Sequence, residues 1–456
     1  MTVTLAISEQ LEAELRRSLD EKDESAAVLL CGRNLDGDRL TYFVQSVHWI
    51  PESSYIRRGP KELEIESRGW VPALAKAAKR GLCPAFFHTH PRMPPAPSLK
   101  DEAVDRAIAE TFRIRADVDE YVSIILGGSS ERPEFSGRVS TSHSPCRTID
   151  RVRVVGRGVR FQLSAEKAAV SSAYQVFDRQ IRAFGDEGQR LLEDLKVGVV
   201  GAGGTGSAVI EQLARLGIGQ LVLIDDDVVD ATNLTRIHES SQADIGEYKA
   251  QLAADRIQAL GFGTRAEVHV ERLASPKVLG PLSSCDLVFG CTDDEFGRVV
   301  LSRLAYWYLI GVFDVGVKLR SRSGQLSGID ARMTYIAPGE PCLLCRNRVD
   351  LRRASEEMLN PVERQALVEE GYAQGLADPD PAVVAYTTMI ASIAVASMLE
   401  RLFGFKNPEL QSELVFGIHD WRVVQRDVAP REGHFCADCS SWGLGDQTPR
   451  LGMAWG

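Results

Sequence analysis

The chain has 456 residues, 44% of them hydrophobic, enough for two or three domains with cores of their own. A net charge of −10, an aromatic content of 7% and the lack of a long basic block exclude the basic, stacking surface that nucleic-acid binding uses. The opening residues, MTVTLAISEQLEAELRRSLDEKDE, have no basic start followed by an apolar core, so no secretory signal is expected. They read as an amphipathic helix carrying Leu5, Leu11, Leu15 and Leu19. Residues 28–32, 42–50, 85–90 and 121–126 read as strands, and 70–80 and 99–111 as helices. Residues 151–161 read as a last strand, and 164–195 as helix. At 196 the pattern becomes strand, glycine turn, helix, strand, which is a βαβ unit. A charged insert covers 346–378. The uncharged stretch 382–399 is rich in Ala, Ser and Thr, which suits a buried helix better than a membrane span. The nine cysteines, with no secretory signal, predict free thiols or metal ligands in a cytoplasmic protein. These features place a domain boundary near residue 158.

Within FFHTHPRMPPAPSLKDEAVD (86–105), His88 and His90 stand two apart, so on a strand both imidazoles point to one face. Ten residues separate His90 from Asp101, which opens a helix and can swing back. Two nitrogens and one carboxylate leave a tetrahedral position open, the arrangement of a catalytic zinc. Glu24, just before the apolar run AAVLLCG, can serve as general base, with Glu21 nearby as a second choice. Ser98 can donate to a developing oxyanion. A polar turn with incidental histidines is the other reading. The pattern H-x-H-P with its Asp, a Ser three before that Asp and a Glu upstream resembles the JAMM (JAB/MPN-type) metalloproteases. That resemblance implies an α+β, cytidine-deaminase-like domain over 1–158 that cuts peptide or isopeptide bonds after the C-terminus of ubiquitin-like proteins.

Gly201, Gly203, Gly204 and Gly206 follow the strand VGVV and open a helix, where phosphate can approach the backbone. Asp225 ends the next strand, suited to a ribose hydroxyl. A nicotinamide dehydrogenase would share these features. Arg236 and Lys249, thirteen apart, fit a triphosphate better, and Asp293 after an apolar strand can hold Mg2+. Cys342 and Cys345 with Cys436 and Cys439 form two CxxC pairs, which reads as a closed, structural four-cysteine zinc site, with a redox role as the alternative.

From about 174 to 439 the chain resembles the ThiF/MoeB and ubiquitin-activating family, through DRQ (178–180), GAGGTGS (201–207), DDD (225–227), NLTR (233–236), Lys249 and CTDD (291–294). The resemblance implies an α/β chain whose second domain, 159–456, is Rossmann-like with a mainly parallel sheet, a four-cysteine zinc site and a charged crossover insert at 347–380. It implies ATP held by the glycine turn, Asp225, Asp227 and Asn233, with Arg236, Lys249 and Mg2+ on Asp293 balancing charge. It also implies a homodimer in which Arg179 reaches the neighbouring site. The activity expected is adenylation of the C-terminal glycine of a ubiquitin-like protein, beside a zinc peptidase acting on the same tail. Bacterial fusions of this kind resemble parts of ubiquitin-like conjugation operons, some linked to antiviral defence. No cysteine occurs from 346 to 435, where ubiquitin-type activators carry their thioester. The alternative is therefore sulfur-carrier activation, with a separate conjugating or sulfur-donor protein taking the acyl group. Neither nucleic acid nor membrane is an expected partner.

Overall fold

The computed structural model describes residues 1–144, 146–164, 175–322, 325–359, 381–405, 410–426 and 428–453. Most of the expected insert, 360–380, and residues 165–174 of the helix expected over 164–195 lie outside the described residues. The chain forms two compact units. One holds Met1–Ala169, Trp307–Leu309 and Asp438–Met453; the other holds Val170–Tyr306 and Ile310–Ala437.

In the first unit the alternating β-branched run TVTLAIS makes strand β1 (Thr2–Ser8), and Ser8 then caps helix α1 (Glu9–Arg17) by accepting from Leu11 N at 3.3 Å. The expected helix therefore starts later, and Leu5 belongs to a strand. Strands β2 (Ala26–Asp36), β3 (Arg39–Trp49), β4 (Tyr55–Gly59) and β5 (Glu62–Ile65) follow, then helix α2 (Val71–Arg80) and strand β6 (Cys83–Pro91). Helix α3 (Leu99–Ala116) runs beyond the expected 111, and strands β7 (Tyr121–Ser129), β8 (Arg132–Ser140) and β9 (Arg147–Thr148) come next. The expected strand 151–161 is two strands, β10 (Arg151–Val155) and β11 (Val159–Leu163), because the chain turns at Gly156–Gly158. The sheet order is β11-β10-β1-β3-β2-β6-β7-β8-β9. One face buries Leu15, Leu29, Phe87 and Ile124; the other buries Val28, Phe86, Leu74 and Phe112. The second face, under α2 and α3, is the one that carries His88 and His90.

The segment Asp438–Met453 completes this unit. Arg33 and Gly445 form a parallel bridge, Asp446 N donates to Arg33 O at 2.8 Å, and Asn34 Nδ2 donates to the Asp446 carboxylate at 3.1 Å. Gly32 permits the approach, since a Cβ there would stand 2.2 Å from Gly443 O.

The second unit opens with helix α4 (Asp178–Asp194), interrupted at Gly185, where φ is 76°. Strand β12 (Lys196–Val200), helix α5 (Gly204–Arg215) and strand β13 (Gln220–Ile224) form the expected βαβ unit. Helix α6 (Lys249–Leu260), strands β14 (Arg265–His269) and β15 (Leu287–Gly290), and helix α7 (Glu295–Trp307) follow. The long strands β16 (Gly311–Arg322) and β17 (Gln325–Ile336), helix α8 (Val384–Phe403) and strands β18 (Glu413–Gly417) and β19 (Arg422–Gln425) complete it. The order is β14-β13-β12-β15-β16-β17-β18-β19, parallel as far as β16 and antiparallel after it. The connections reverse direction between β12 and β15, which opens a crevice at the carboxyl ends of those strands. The uncharged stretch forms α8, which buries Ile390, Ala391, Ala394 and Met398. Among the described residues no helix is long and apolar enough to cross a membrane.

Candidate active sites and metal centre

In the first unit, β2 and β6 are antiparallel with Ala26 opposite His88. Extending that register by two residues sets Glu24 opposite His90, on the same face. Thr89 locks the strand start, accepting from Ser25 N at 2.8 Å while its own N–H donates to Ser25 O at 2.9 Å. Glu24 N donates to Gly59 O at 3.0 Å, and Arg58 Nε donates to Glu24 O at 2.9 Å. Glu24 is 5% exposed. Burial raises its carboxyl above the usual range, and His88 and His90 partly offset this. Glu21 is more exposed and pairs with Arg58.

Asp101 reaches the histidines because the proline-rich loop is pinned. Arg92 N donates to Gly128 O and Gly128 N to Met93 O, both at 2.7 Å. Gly127 allows the close pass, since a Cβ there would stand 2.5 Å from Met93 O. Ser98 then starts α3 with a capping box: its Oγ accepts from Asp101 N at 3.2 Å, and its N–H donates to Asp101 Oδ2 at 2.7 Å. Ser98 is exposed and fixes Asp101. Burial alone would raise the Asp101 carboxyl, but the neighbouring His88 and His90 and the hydrogen bonds of Ser98 hold it far below the usual carboxylate range.

The three donors converge. His88 Nε2 and His90 Nε2 are 3.2 Å apart, and the Asp101 oxygens lie 3.4 and 3.5 Å from them. The His90 Nδ1 proton has Pro94 O at 3.3 Å to donate to, which leaves Nε2 as a lone-pair donor. His88 Nδ1 is buried without a hydrogen-bond partner among the described residues. Two nitrogens and a carboxylate converging at these separations fit a cation between them at about 2.0–2.1 Å from each nitrogen.

In the second unit the glycine turn sits at the crevice. Gly201 has φ 88°, and a Cβ there would stand 2.8 Å from Cys291 O. A Cβ on Gly206 would stand 1.7 Å from Gly201 O, and one on Gly204 3.1 Å from Arg236 Cγ. Gly203 differs: it caps α5 at φ −72°, and a Cβ there would meet nothing within 4 Å. Asp225 binds the turn from β13, accepting from Ala202 N at 2.6 Å and from Asp227 N at 2.9 Å. Burial raises its carboxyl, against those hydrogen bonds and the charge of Lys249. Lys249 Nζ rests on Asp227 Oδ2 at 2.7 Å. Asn233 Oδ1 accepts from Asp230 N at 3.0 Å, and Arg236 Nη1 donates to Thr232 O at 2.9 Å. The turn that carries both residues is thus held by its own polar groups. After β15, Asp294 caps α7 through Gly297 N and Thr292 Oγ1, which leaves Asp293 as the exposed carboxylate of the pair. Arg179 is exposed near the start of α4. The Cys291 thiol is pushed far up by burial and by Asp314, which disfavours its thiolate form.

The cysteine pairs need a correction. Cys342, Cys345 and Cys436 come together with His434, and Cys439 is not among them. Asp438 starts a new turn by accepting from Ser440 N at 2.9 Å, and Cys439 ends exposed with its Sγ 3.6 Å from Gln10 Oε1. The sequence signal for the fourth group was the His434-Phe435-Cys436 spacing, which the two CxxC pairs overshadow. Thr89, Asp227 and Asp294 are the other supporting residues that motif reading passed over.

The model for prokaryotic homologs of the JAB domain matches residues 4–139, and the ThiF family model matches 177–428. The chain is 30% identical over 237 residues to the adenylyltransferase and sulfurtransferase MOCS3 of Arabidopsis thaliana, covering 50% of this chain and 49% of that protein. It is 33% identical over 182 residues to the molybdopterin-synthase adenylyltransferase of Escherichia coli (strain K12), covering 38% and 68%. It is 32% identical over 161 residues to the SAMP-activating enzyme E1 of Haloferax volcanii, covering 35% and 56%. The chain thus spans about half the length of the first and last of these relatives. The chain belongs to the ThiF family, with a JAB-type domain at its N-terminus.

Proposed function

We propose that the chain adenylates the C-terminal glycine of a ubiquitin-like protein and, at a separate site, hydrolyses the bond beyond that glycine. The observation that carries this reading is the presence, on one chain, of a glycine-lined crevice and a His88–His90–Asp101 cluster with a buried carboxylate opposite. In the second unit, ATP would lie with its phosphates against Gly201–Gly206 at the α5 N-terminus and its ribose on Asp225. Asn233, Arg236 and Lys249 would surround the phosphates, with Lys249 moving off Asp227. Asp293 and Asp227 would supply carboxylates for Mg2+, which would neutralise phosphate charge there. The tail carboxylate attacks the α-phosphorus, the bond to pyrophosphate breaks, and the acyl adenylate forms. Arg179, exposed, would complete the site of a second copy in a homodimer.

In the first unit, His88, His90 and Asp101 would hold Zn2+, which supplies Lewis acidity toward water and the scissile carbonyl. Glu24 takes the proton of the attacking water and returns it to the leaving amine. Ser98 orients Asp101 and faces solvent, where its hydroxyl can donate to the oxyanion. Both sites would accept the same tail, and fusion raises the effective concentration of each for the other's product.

A second reading has its own support. No cysteine lies between Cys345 and Cys436, and burial raises the Cys291 thiol, which disfavours a thiolate there. Two of the relatives named above are sulfurtransferase or molybdopterin-synthase adenylyltransferase proteins. A sulfur-carrier protein would then be the substrate, with a separate protein accepting the acyl group. Pyrophosphate exchange with candidate carrier tails tests both readings; no exchange with any glycine-terminated tail would overturn them.

A further inference from the structure

On the proposed seating of ATP at the glycine turn, we infer that His238 is a positioning residue for Arg236. It clamps the turn that carries Arg236 to α5 and α8, so that the guanidinium is held where the phosphates arrive. The stem of Arg236 passes over Gly204 at the start of α5, where a Cβ would stand 3.1 Å from Arg236 Cγ and 3.2 Å from Cδ. Before Arg236 the turn is held from within, by the Asn233 amide and by Thr232 O. Two residues after it, the chain is held from outside.

His238 makes three bonds to other elements. Its backbone N–H donates to Ser207 Oγ, near the start of α5, at 3.0 Å. Its Nδ1 lies 3.1 Å from Glu211 Oε2, one turn further along that helix. Its Nε2 lies 2.8 Å from Thr388 Oγ1, in the second turn of α8. A carboxylate can only accept, so Nδ1 carries the proton, and Nε2 of the neutral ring accepts from the Thr388 hydroxyl. Glu211 is itself fixed, since Arg215 Nε donates to its Oε1 at 2.9 Å. Ser207 and Glu211 stand four apart, so the backbone and the ring of His238 meet one face of α5. Two residues of chain reach about 7 Å at most, so a fixed His238 confines Arg236. His238, Ser207 and Glu211 also line one small cavity with Ala202 and Lys249, which sets the clamp beside the glycine turn. The His238 side chain is 23% exposed and stands outside the buried core. Water can take over its bonds when it is removed, so what is lost is the fixed spacing of α5, α8 and the turn rather than core packing.

Titration calorimetry of Mg-ATP on the full chain tests this. His238→Ala should weaken binding about tenfold in the parent, and less than about twofold in an Arg236→Ala background, because the clamp acts through that guanidinium. Thr388→Val should weaken binding about threefold, and Thr388→Ser, which keeps the hydroxyl, should bind more tightly than Thr388→Val. Tm should fall by no more than about 5 °C in each. A residue that merely stabilised the unit would show the same loss with or without Arg236. If His238→Ala does not fold, the same cycle with Thr388→Val decides. A parent that does not bind Mg-ATP overturns the inference together with the nucleotide site. A parent that binds, with His238→Ala either binding as tightly or losing as much without Arg236 as with it, overturns the inference alone.

Discussion

Two glycines in one turn should respond in opposite ways to the same added methyl. At Gly206 a Cβ would stand 1.7 Å from Gly201 O, and both atoms belong to backbone that cannot swing aside. The turn must open by well over an ångström to reach ordinary contact, with an overpacking cost of about 1–3 kcal/mol or more. For a unit of this size that lowers Tm by about 2–12 °C. At Gly203 a Cβ meets nothing within 4 Å, and φ is −72°, outside the left-handed region that favours glycine. Gly203→Ala should change stability by no more than about 1 kcal/mol in either direction. The methyl would nevertheless occupy the open side of the turn, where we seat the ATP phosphates. Displacing them should weaken Mg-ATP binding about tenfold, or about 1.4 kcal/mol. Thermal unfolding and titration calorimetry on both variants separate the effects. If Gly203→Ala binds Mg-ATP as the parent does, the phosphates do not lie on the turn. If Gly206→Ala keeps the parental Tm, the steric argument is wrong.

Other outcomes follow from the same geometry. Glu24→Gln should cut peptide-bond cleavage by about 10²–10⁴-fold while zinc content, read by elemental analysis, stays at the parental level; unimpaired cleavage removes Glu24 as the base. Asp293→Ala should abolish pyrophosphate exchange and spare cleavage, and His88→Ala should do the reverse; loss of both activities in both variants contradicts two independent sites. Asp294→Ala removes the cap of α7 and should lower stability by about 0.5–2 kcal/mol in denaturant titration. Gly32→Ala would collide with Gly443 O and should destabilise the first unit by about 1–3 kcal/mol, as judged by hydrogen exchange in β2 and β3.

Periodicity and motif spacing carried much of the architecture. The H-x-H pair announces two imidazoles on one strand face, and β6 delivers it because alternate residues of a strand share a face. The VGVVGAGGTG run announces the turn after β12, since only glycines fit where Gly201 and Gly206 meet neighbouring backbone. Other features depend on contacts remote in sequence. Leu5 looked helical by spacing, yet β1 forms because it pairs with both β3 and β10. The sixteen residues Asp438–Met453, expected within the second domain at 159–456, belong instead to the first unit, where Gly32 gives them a place beside β2. Cys439 stands apart from the other three cysteines for a local reason that composition hides: an aspartate two residues after Cys436 prefers to cap a turn. Glu24, the first choice over Glu21 in the sequence, is set apart by the β2–β6 register and by its burial.

The central claim is that two chemistries on this chain meet at one tail. Intact mass spectrometry without reductant tests it most directly, with the protein, Mg-ATP and ubiquitin-like proteins that end at, or extend beyond, a terminal glycine. The account predicts trimming of the extended tails and an AMP adduct on the glycine-ended partner, with no covalent adduct on this chain. A thiol-sensitive adduct on this chain would contradict the conclusion that the enzyme stops at the adenylate, and neither trimming nor AMP transfer would contradict the whole.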